Sequence, residues 1–495
     1  MNKQLRHVSV FALVLLAVLI GATTYWQMWA KADLAARQDN SVSLIERLTV
    51  DRGKILAADG TVLANNRKTR KHGLTIYTRH YPQNDLAPQV LGYATNAGTT
   101  TGLEQTLDDY LTGANTNLTN AFTQELDKLG GQTVHGDNVV LTLRSDIQRL
   151  AQDQLAGRCG AVVVLDTRTG AVVAMASSPT YNANLVNQRR GYAKIGRIQG
   201  SCGDASALQN NATLGLYPPG STFKMVTAAA ALDSGAYTPS SPFYDPGYCT
   251  EYGQRVSNAG NPDQNGPEAF GNVSLAQGFE HSINSVFCNV GKHIGGLKIL
   301  DYAKRFGFYS LPPLETPPDT SKASGLYKNG KLWTPTSNSQ IDSGRLAFGQ
   351  YNMLATPLQM ALVGATIANK GDVPKPYLLQ KVVAADGSTV TKTTPQTLGQ
   401  AIKPQTAAEL NQMMQLVVQS GTGTNAQIPG VPVAGKTGTA ELGLGSVYDA
   451  WFVAFAPANN PRYVVAVVVA KQPNGFGGSV SAPIARAILE KLLVR

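Results

Sequence analysis

From Val8 to Ala30 the chain carries no charged side chain, and Val10 to Ala22 is almost wholly apolar. As a helix rising 1.5 Å per residue, this stretch spans about 35 Å, enough to cross a bilayer. Lys3, Arg6 and His7 precede it, and Tyr25, Trp26 and Trp29 mark its far end. Positive charge before the span and aromatic residues after it predict a cytoplasmic tail of residues 1–7, an anchor over 8–30 and a bulk that lies outside. Ala30-Lys31-Ala32 has the small-residue spacing of a signal-peptide cleavage site, but aromatic residues so close before the cut favour an uncleaved anchor.

Residues 31–143 alternate short apolar runs with turns. Two short strands flank the Asp59-Gly60 turn. Gly102-Leu103-Glu104 opens an amphipathic helix with Leu103, Leu107 and Leu111 on one side. Residues 114–138 are polar and read as loop. Nothing in this region looks chemical, and it reads as a pedestal. A second domain, residues 144–495, starts after a strand at Val139–Leu143. Ser145-Asp146-Ile147-Gln148 predicts a capping box at a helix start, and a hairpin follows over 161–176. Helical pattern appears after Ser221, over 274–281, 286–294, 357–369 and 406–420, and again at 481–494. Strands are predicted at 450–456 and 463–470, the latter valine-rich on both faces and so buried. Residues 312–344 form a long Pro-, Ser- and Thr-rich loop. No internal repeat is present. Helices mixed with hairpin-like strands predict an α+β fold with a mainly antiparallel sheet.

Length, at 495 residues, allows two or three domains. Charged residues make up 15% of the chain, below the roughly 25% of soluble proteins, which suits an exported protein. The net charge of +10 reads as dispersed, without a dense Lys/Arg tract. It implies solubility and attraction to anionic membrane and wall polymer, not nucleic-acid binding. Cys159, Cys202, Cys249 and Cys288 lack zinc spacing and any C-x-x-C, and their pairing is left open. No metal motif such as H-E-x-x-H occurs, and no cofactor is expected.

Three short motifs carry the chemistry. Tyr217-Pro218-Pro219-Gly220-Ser221-Thr222-Phe223-Lys224 breaks the chain and then opens an alanine-rich helix. Ser221 falls near the helix N-terminus, with Lys224 on the same face. A serine becomes a nucleophile when a base takes its proton, and a lysine can serve when burial keeps it neutral. Taken alone, the stretch reads equally as a helix cap beside a surface lysine. The second motif is Ser282-Ile283-Asn284. Residues two apart diverge on a helix, so a shared site requires a turn there. The third is Lys436-Thr437-Gly438-Thr439, where an extended strand puts Thr437 and Thr439 on one face and Lys436 on the other, with Gly438 allowing close approach. S-x-x-K, S-x-N and K-T-G in this order form a far stronger signal than any one of them.

With these motifs the chain resembles the class B penicillin-binding proteins, most of all the short actinobacterial members of PbpA type. Gly435-Lys436-Thr437-Gly438-Thr439-Ala440-Glu441 also looks like that family's signature. So do Arg52-Gly53, Gly102-Leu103-Glu104, Thr356-Pro357-Leu358-Gln359, Ile367-Ala368-Asn369 and Ala450-Trp451-Phe452. Gly349-Gln350-Tyr351 departs from it where a second glycine is frequent. The resemblance implies a penicillin-binding/β-lactamase-like transpeptidase domain on a pedestal, with a single transmembrane helix. It also implies roles. Ser221 attacks the penultimate D-Ala carbonyl of a peptidoglycan stem peptide, and Lys224 is the base. Ser282 relays a proton to the leaving amine near Lys436, and Asn284 binds the substrate backbone. Thr437 and Thr439 hold the terminal carboxylate. The N–H groups of Ser221 and Thr439 form the oxyanion hole. β-Lactams would acylate the same serine.

Other readings are weaker. Gly430 to Thr437 matches the P-loop pattern, but a Gly/Pro-rich loop precedes it and glycines follow where a helix is needed. His281 beside Ser282 lacks the G-x-S-x-G turn and the orienting carboxylate of a triad. A carboxypeptidase or β-lactamase would share the motifs, but the anchor and pedestal favour a transpeptidase held above a membrane. Intact motifs argue against an idle scaffold of a wall-synthesis complex, and a tail of about seven residues argues against a sensor that signals inward. With no glycosyltransferase-sized module before the pedestal, a polytopic glycan polymerase of RodA/FtsW type is the expected partner.

Overall fold

The computed structural model describes residues 2–25, 47–71, 73–114, 133–203, 206–259, 268–443 and 445–494. Asn2–Tyr25 is one helix, and its Arg6–Tyr25 portion is long and apolar enough to cross a membrane. Trp26, Trp29 and the end of the expected span lie outside the described residues, as does most of the loop expected over 114–138.

The pedestal is built on a six-stranded sheet. Its strand order is Thr389–Lys392, Leu379–Val383, Asn138–Leu141, Ile55–Leu56, Val62–Lys71 and Leu74–His80. Two of these strands come from far beyond residue 143, so the chain returns to the pedestal after building much of the second domain. The Leu103, Leu107 and Leu111 stripe is buried as expected, on two short helices, Gly102–Thr106 and Asp108–Thr112. Glu104 is fully buried. It accepts from Arg79 Nε at 2.5 Å and Arg52 Nη2 at 3.0 Å, while Arg52 Nη1 reaches Asp108 at 2.6 Å. This network explains the Arg52-Gly53 and Gly102-Leu103-Glu104 signatures as structural.

The capping box expected at Ser145 does not form. Ser145 is the first residue of helix Ser145–Leu155, with Arg144 at the cap position. Its hydroxyl and N–H donate to Asp59 of the pedestal at 2.7 and 2.9 Å. Joining the two domains takes the Ser145 N–H that a capping box would need and turns its hydroxyl toward Asp59. A true capping box forms instead at Ser274 and Gln277.

The larger domain is centred on a five-stranded antiparallel sheet, ordered Ala434–Glu441, Val447–Ala456, Tyr463–Pro473, Gly160–Asp166 and Val172–Ser178. Alternation splits its side chains between two cores. Val464, Ala466 and Val468 face the helices Lys224–Asp233, Pro357–Ala368 and Pro404–Gln419. Val465, Val467 and Val469 face Ser145–Leu155 and Gly477–Leu493. Burial on both faces is why Tyr463–Ala470 reads as a nearly unbroken valine run. The strand with the K-T-G motif lies at the sheet edge, with one side free.

All four cysteines are paired, Cys159 with Cys202 and Cys249 with Cys288. The charge is less dispersed than the sequence reading holds. Arg67, Lys68, Arg70 and Lys71 are all exposed on the outer half of one pedestal hairpin.

Candidate active site

Gly220 has φ +51°, and a Cβ there would meet Thr439 O at 3.0 Å. This glycine lets the chain turn against the edge strand. A single 3₁₀ turn, Gly220–Phe223, precedes the helix that begins at Lys224. Three residues apart in such a turn, Ser221 and Lys224 face the same way. Ser221 lines a cleft of about 860 Å³. Its hydroxyl has no hydrogen-bond partner among the described residues, and Lys224 points past it to the second motif.

Lys224 is fully buried, not a surface lysine. Its Nζ lies 2.6 Å from Ser282 O, 2.9 Å from Asn284 Oδ1 and 3.3 Å from Ser282 Oγ. Lys436 is equally buried, and its Nζ donates to Ser282 Oγ at 2.8 Å and to Thr437 O at 3.1 Å. Among the described residues no carboxylate pairs with either lysine. Their other neighbours are rings, Phe287 at 5.3 Å from Lys224 and Phe279 at 5.5 Å from Lys436. Burial, helped by the like charge of Lys436, holds Lys224 well below the ordinary lysine range. Burial lowers Lys436 to about 7.

The expected turn in the second motif is Ser282 itself, with φ +59°, between helices Leu275–Glu280 and Asn284–Ile294. It turns Ser282 and Asn284 toward the same lysine, which no continuous helix could do. In the third motif the strand is extended as expected. A Cβ on Gly438 would lie 2.8 Å from Thr222 Cγ2 and 2.9 Å from Pro219 O, so glycine lets the strand pack on the turn that carries Ser221. Thr437 Oγ1 bonds Thr422 Oγ1 at 2.6 Å, and Thr439 Oγ1 accepts from Gly477 N at 3.3 Å. Ser221, Ser282, Asn284, Thr437 and Thr439 all line the cleft. Lys224 and Lys436 lie behind it.

Sequence reasoning missed the wall of the cleft. Asp245, buried, accepts from Ser285 Oγ at 2.5 Å, Gly247 N and Asn258 Nδ2 at 2.8 Å, and Phe270 N at 3.0 Å. It clamps the segment Ser257-Asn258 onto the start of the Asn284 helix. Asn284 Nδ2 donates to Ser257 O at 3.1 Å, and the Cys249–Cys288 disulfide ties the same hairpin to the same helix. A lone aspartate in an irregular stretch gave no signal. Gly349-Gln350-Tyr351 also borders the site. Gly220 N donates to Gly349 O, and Gln350 and Tyr351 line the cleft. His281 lines it too, but stacks on Phe270 and lies 3.8 Å from Glu280, with no bond to Ser221. The P-loop-like glycines lead into a strand, not a helix.

Comparison with known proteins agrees with this geometry. The penicillin binding protein transpeptidase domain matches residues 160–490, and the penicillin binding protein A dimerisation domain matches residues 52–139. The peptidoglycan D,D-transpeptidase PbpA of Mycolicibacterium smegmatis is 34% identical over all of this chain and 99% of its own length. Penicillin-binding protein A of M. tuberculosis, solved as a ceftriaxone acyl-enzyme, superposes with a TM-score of 0.79 at 31% identity, covering 91% of this chain and 100% of that one. A D,D-transpeptidase domain from Eggerthella lenta gives a TM-score of 0.75 at 36% identity, over 90% of this chain and 98% of that one. The chain belongs to the class B penicillin-binding proteins, the family of the peptidoglycan D,D-transpeptidases.

Proposed function

We propose that the protein is a peptidoglycan D,D-transpeptidase in which Ser221 forms the acyl-enzyme and Lys224 activates it. The observation that carries this reading is the pair of buried lysines meeting at Ser282 with no carboxylate between them. A neutral Lys224 has two N–H bonds and one lone pair. Ser282 O and Asn284 Oδ1 take the two hydrogens. The lone pair is then free for the Ser221 proton. Ser221 Oγ attacks the penultimate D-Ala carbonyl, and the unpartnered N–H of Ser221 with that of Thr439 holds the developing oxyanion. Losing one such donor raises the barrier by about 2.7–4 kcal/mol. Ser282, bridging the two amines, passes the proton to the departing D-Ala nitrogen as the C–N bond breaks. Thr437 and Thr439 hold the terminal carboxylate in the field of Lys436. Asn284 receives the substrate backbone once that backbone replaces Ser257 O. An amine from a neighbouring strand then displaces Ser221 and forms the cross-link. A β-lactam acylates the same serine.

The apolar helix that ends at Tyr25 serves as a single membrane anchor from residue 8 on, with residues 1–7 inside and the catalytic domain outside. The positive charge before the span supports this orientation. So do the two disulfides, because such bonds persist in oxidising compartments. We assign glycan polymerisation to a RodA/FtsW-type partner that meets the anchor and pedestal. Co-purification from membranes without any such polymerase would count against that partner. The catalytic reading is tested by labelled penicillin on wild type beside Ser221→Ala. A long-lived adduct that the substitution abolishes is expected, whereas rapid release with turnover would make the protein a hydrolase.

A further inference from the structure

The pedestal hairpin of Val62–Lys71 and Leu74–His80 has two unlike halves. Its inner half is buried at Leu63 and Ala64, and its inner cation, Arg79, is bound to Glu104. Its outer half exposes Arg67, Lys68, Arg70 and Lys71. Their cross-strand partners are Thr78, Tyr77, Thr75 and Leu74 in turn, so no acid faces any of them. The sequence holds no Asp or Glu from 67 to 80. Local contacts leave the charge in place. Arg67 Nη2 lies 3.1 Å from His80 Nε2, and Lys68 Nζ sits 6.0 Å from the Tyr77 ring centroid. Leu74, at the tip, is 48% exposed, an apolar residue amid the cations.

The direction of this arm is fixed by its contacts. Strand Val62–Lys71 begins at the junction with the larger domain, where Thr61 Oγ1 meets Ser145 Oγ at 3.0 Å. It then passes Asn66, whose Nδ2 donates to Asp51 at 2.8 Å and to Arg52 O at 2.6 Å. Asp51 and Arg52 lie near the start of the described pedestal, which resumes at residue 47. Beyond that point the strand runs on for five residues, 67–71, or about 17 Å at 3.4 Å per residue. The cations therefore project past Asp51 and Arg52, beyond the hairpin's contacts with the larger domain at Ser145 and Asn184.

We propose that this arm docks on the anionic headgroup surface of the membrane that holds the anchor. Arg67, Lys68, Arg70 and Lys71 meet lipid phosphates, and Leu74 enters between them. The inference rests on reading Arg6–Tyr25 as the anchor. Each Lys or Arg near an anionic bilayer strengthens the contact about fivefold, and salt screens it. Docking would set the tilt of the pedestal, and with it the height at which the cleft meets its substrate.

The test uses the full chain in nanodiscs of phosphatidylcholine, with or without phosphatidylglycerol, and reads amide hydrogen exchange over 67–78. Exchange should slow about tenfold in the anionic discs, as expected for several screened contacts. High salt and the variant R67S/K68S/R70S/K71S should each remove the effect, while penicillin acylation of Ser221 stays unchanged. Equal exchange in both discs, with the chain inserted, would overturn the proposal. So would slowing that appears only when anionic wall polymer or a protein partner is added. Failure to insert in either disc would sink the anchor reading and the docking with it.

Discussion

In the pedestal, Glu104 is buried between Arg79 and Arg52; in the cleft, Lys224 and Lys436 are buried beside one serine and no acid. Desolvation opposes charge at both sites. At Glu104 burial pushes the carboxyl up, but the two guanidinium groups outweigh it and hold the pKa below the ordinary value. At Lys224 burial and the neighbouring cation push the same way, and no carboxylate among the described residues opposes them. A buried charge with partners holds a fold together. A buried amine without them is pushed toward its neutral form, the form a base needs, and the fold bears the energy of keeping it.

The contrast breaks most clearly at Lys224. Lys224→Met should slow acylation by labelled penicillin about 10²–10⁴-fold, the usual worth of a general base. Acylation within tenfold of wild type would remove Lys224 from the role given to it. Next in size is Glu104→Gln, which leaves two buried guanidinium groups short of a partner. Denaturant unfolding should show a loss of about 3–5 kcal/mol. Because the folded pKa of Glu104 is lowered, its contribution is complete above the unfolded value. The gap between wild type and variant should close as pH falls through the folded value.

Lys436 is shifted the same way, but at neutral pH its burial costs stability where that of Glu104 adds to it. Its folded pKa, about 7, lies below the ordinary lysine value of 10.5, so between those limits the unfolded chain binds more protons and stability rises with pH. At 1.36 kcal/mol per unit, keeping this lysine buried costs on the order of 4–5 kcal/mol at pH 7. Lys436→Met should therefore raise the unfolding midpoint at pH 7 and lose its advantage toward pH 10, even as it impairs acylation. In wild type, the acylation constant for a carboxylate-bearing penicillin should fall as pH rises through about 7, where Lys436 loses its charge. A flat profile in wild type would separate Lys436 from carboxylate binding.

What the sequence made legible was local. Ser221 with Lys224, and Lys436 with Thr437 and Thr439, are set by a single turn and a single strand, so their spacing already fixes which way they face. The two-sided valine strand was readable for the same reason. Long-range packing was not. Nothing near Lys224 or Lys436 says that each is fully buried, since the residues that bury them come from other elements, such as Phe287 and Phe279. The pedestal sheet takes in Leu379–Val383, far along the chain. Ser145 looked like a cap, but Asp59 took its hydrogen bonds. Arg67-Lys68-Thr69-Arg70-Lys71 stands in the sequence, but the reading took the charge as dispersed, because the cluster emerges only in a hairpin that exposes all four cations together.

Asp245 is buried in a third way and gives the smallest expected effect. Among the described residues no cation pairs with it; four neutral donors surround it, two of them backbone N–H groups. Asp245→Asn keeps one oxygen but turns an NH₂ toward donors, which weakens bonds worth about 1.5–3 kcal/mol each. The loss falls on the seam between Ser257-Asn258 and the helix that starts at Asn284, not on the reacting atoms. Penicillin acylation should drop about tenfold, with faster amide exchange over 254–258 and an unfolding midpoint far less affected than in Glu104→Gln. The pH profile should keep its fall near 7, because Lys436 is untouched. If exchange quickens while acylation holds, the wall moves independently of Asn284. Asp245 would then stabilise the cleft without positioning anything in it.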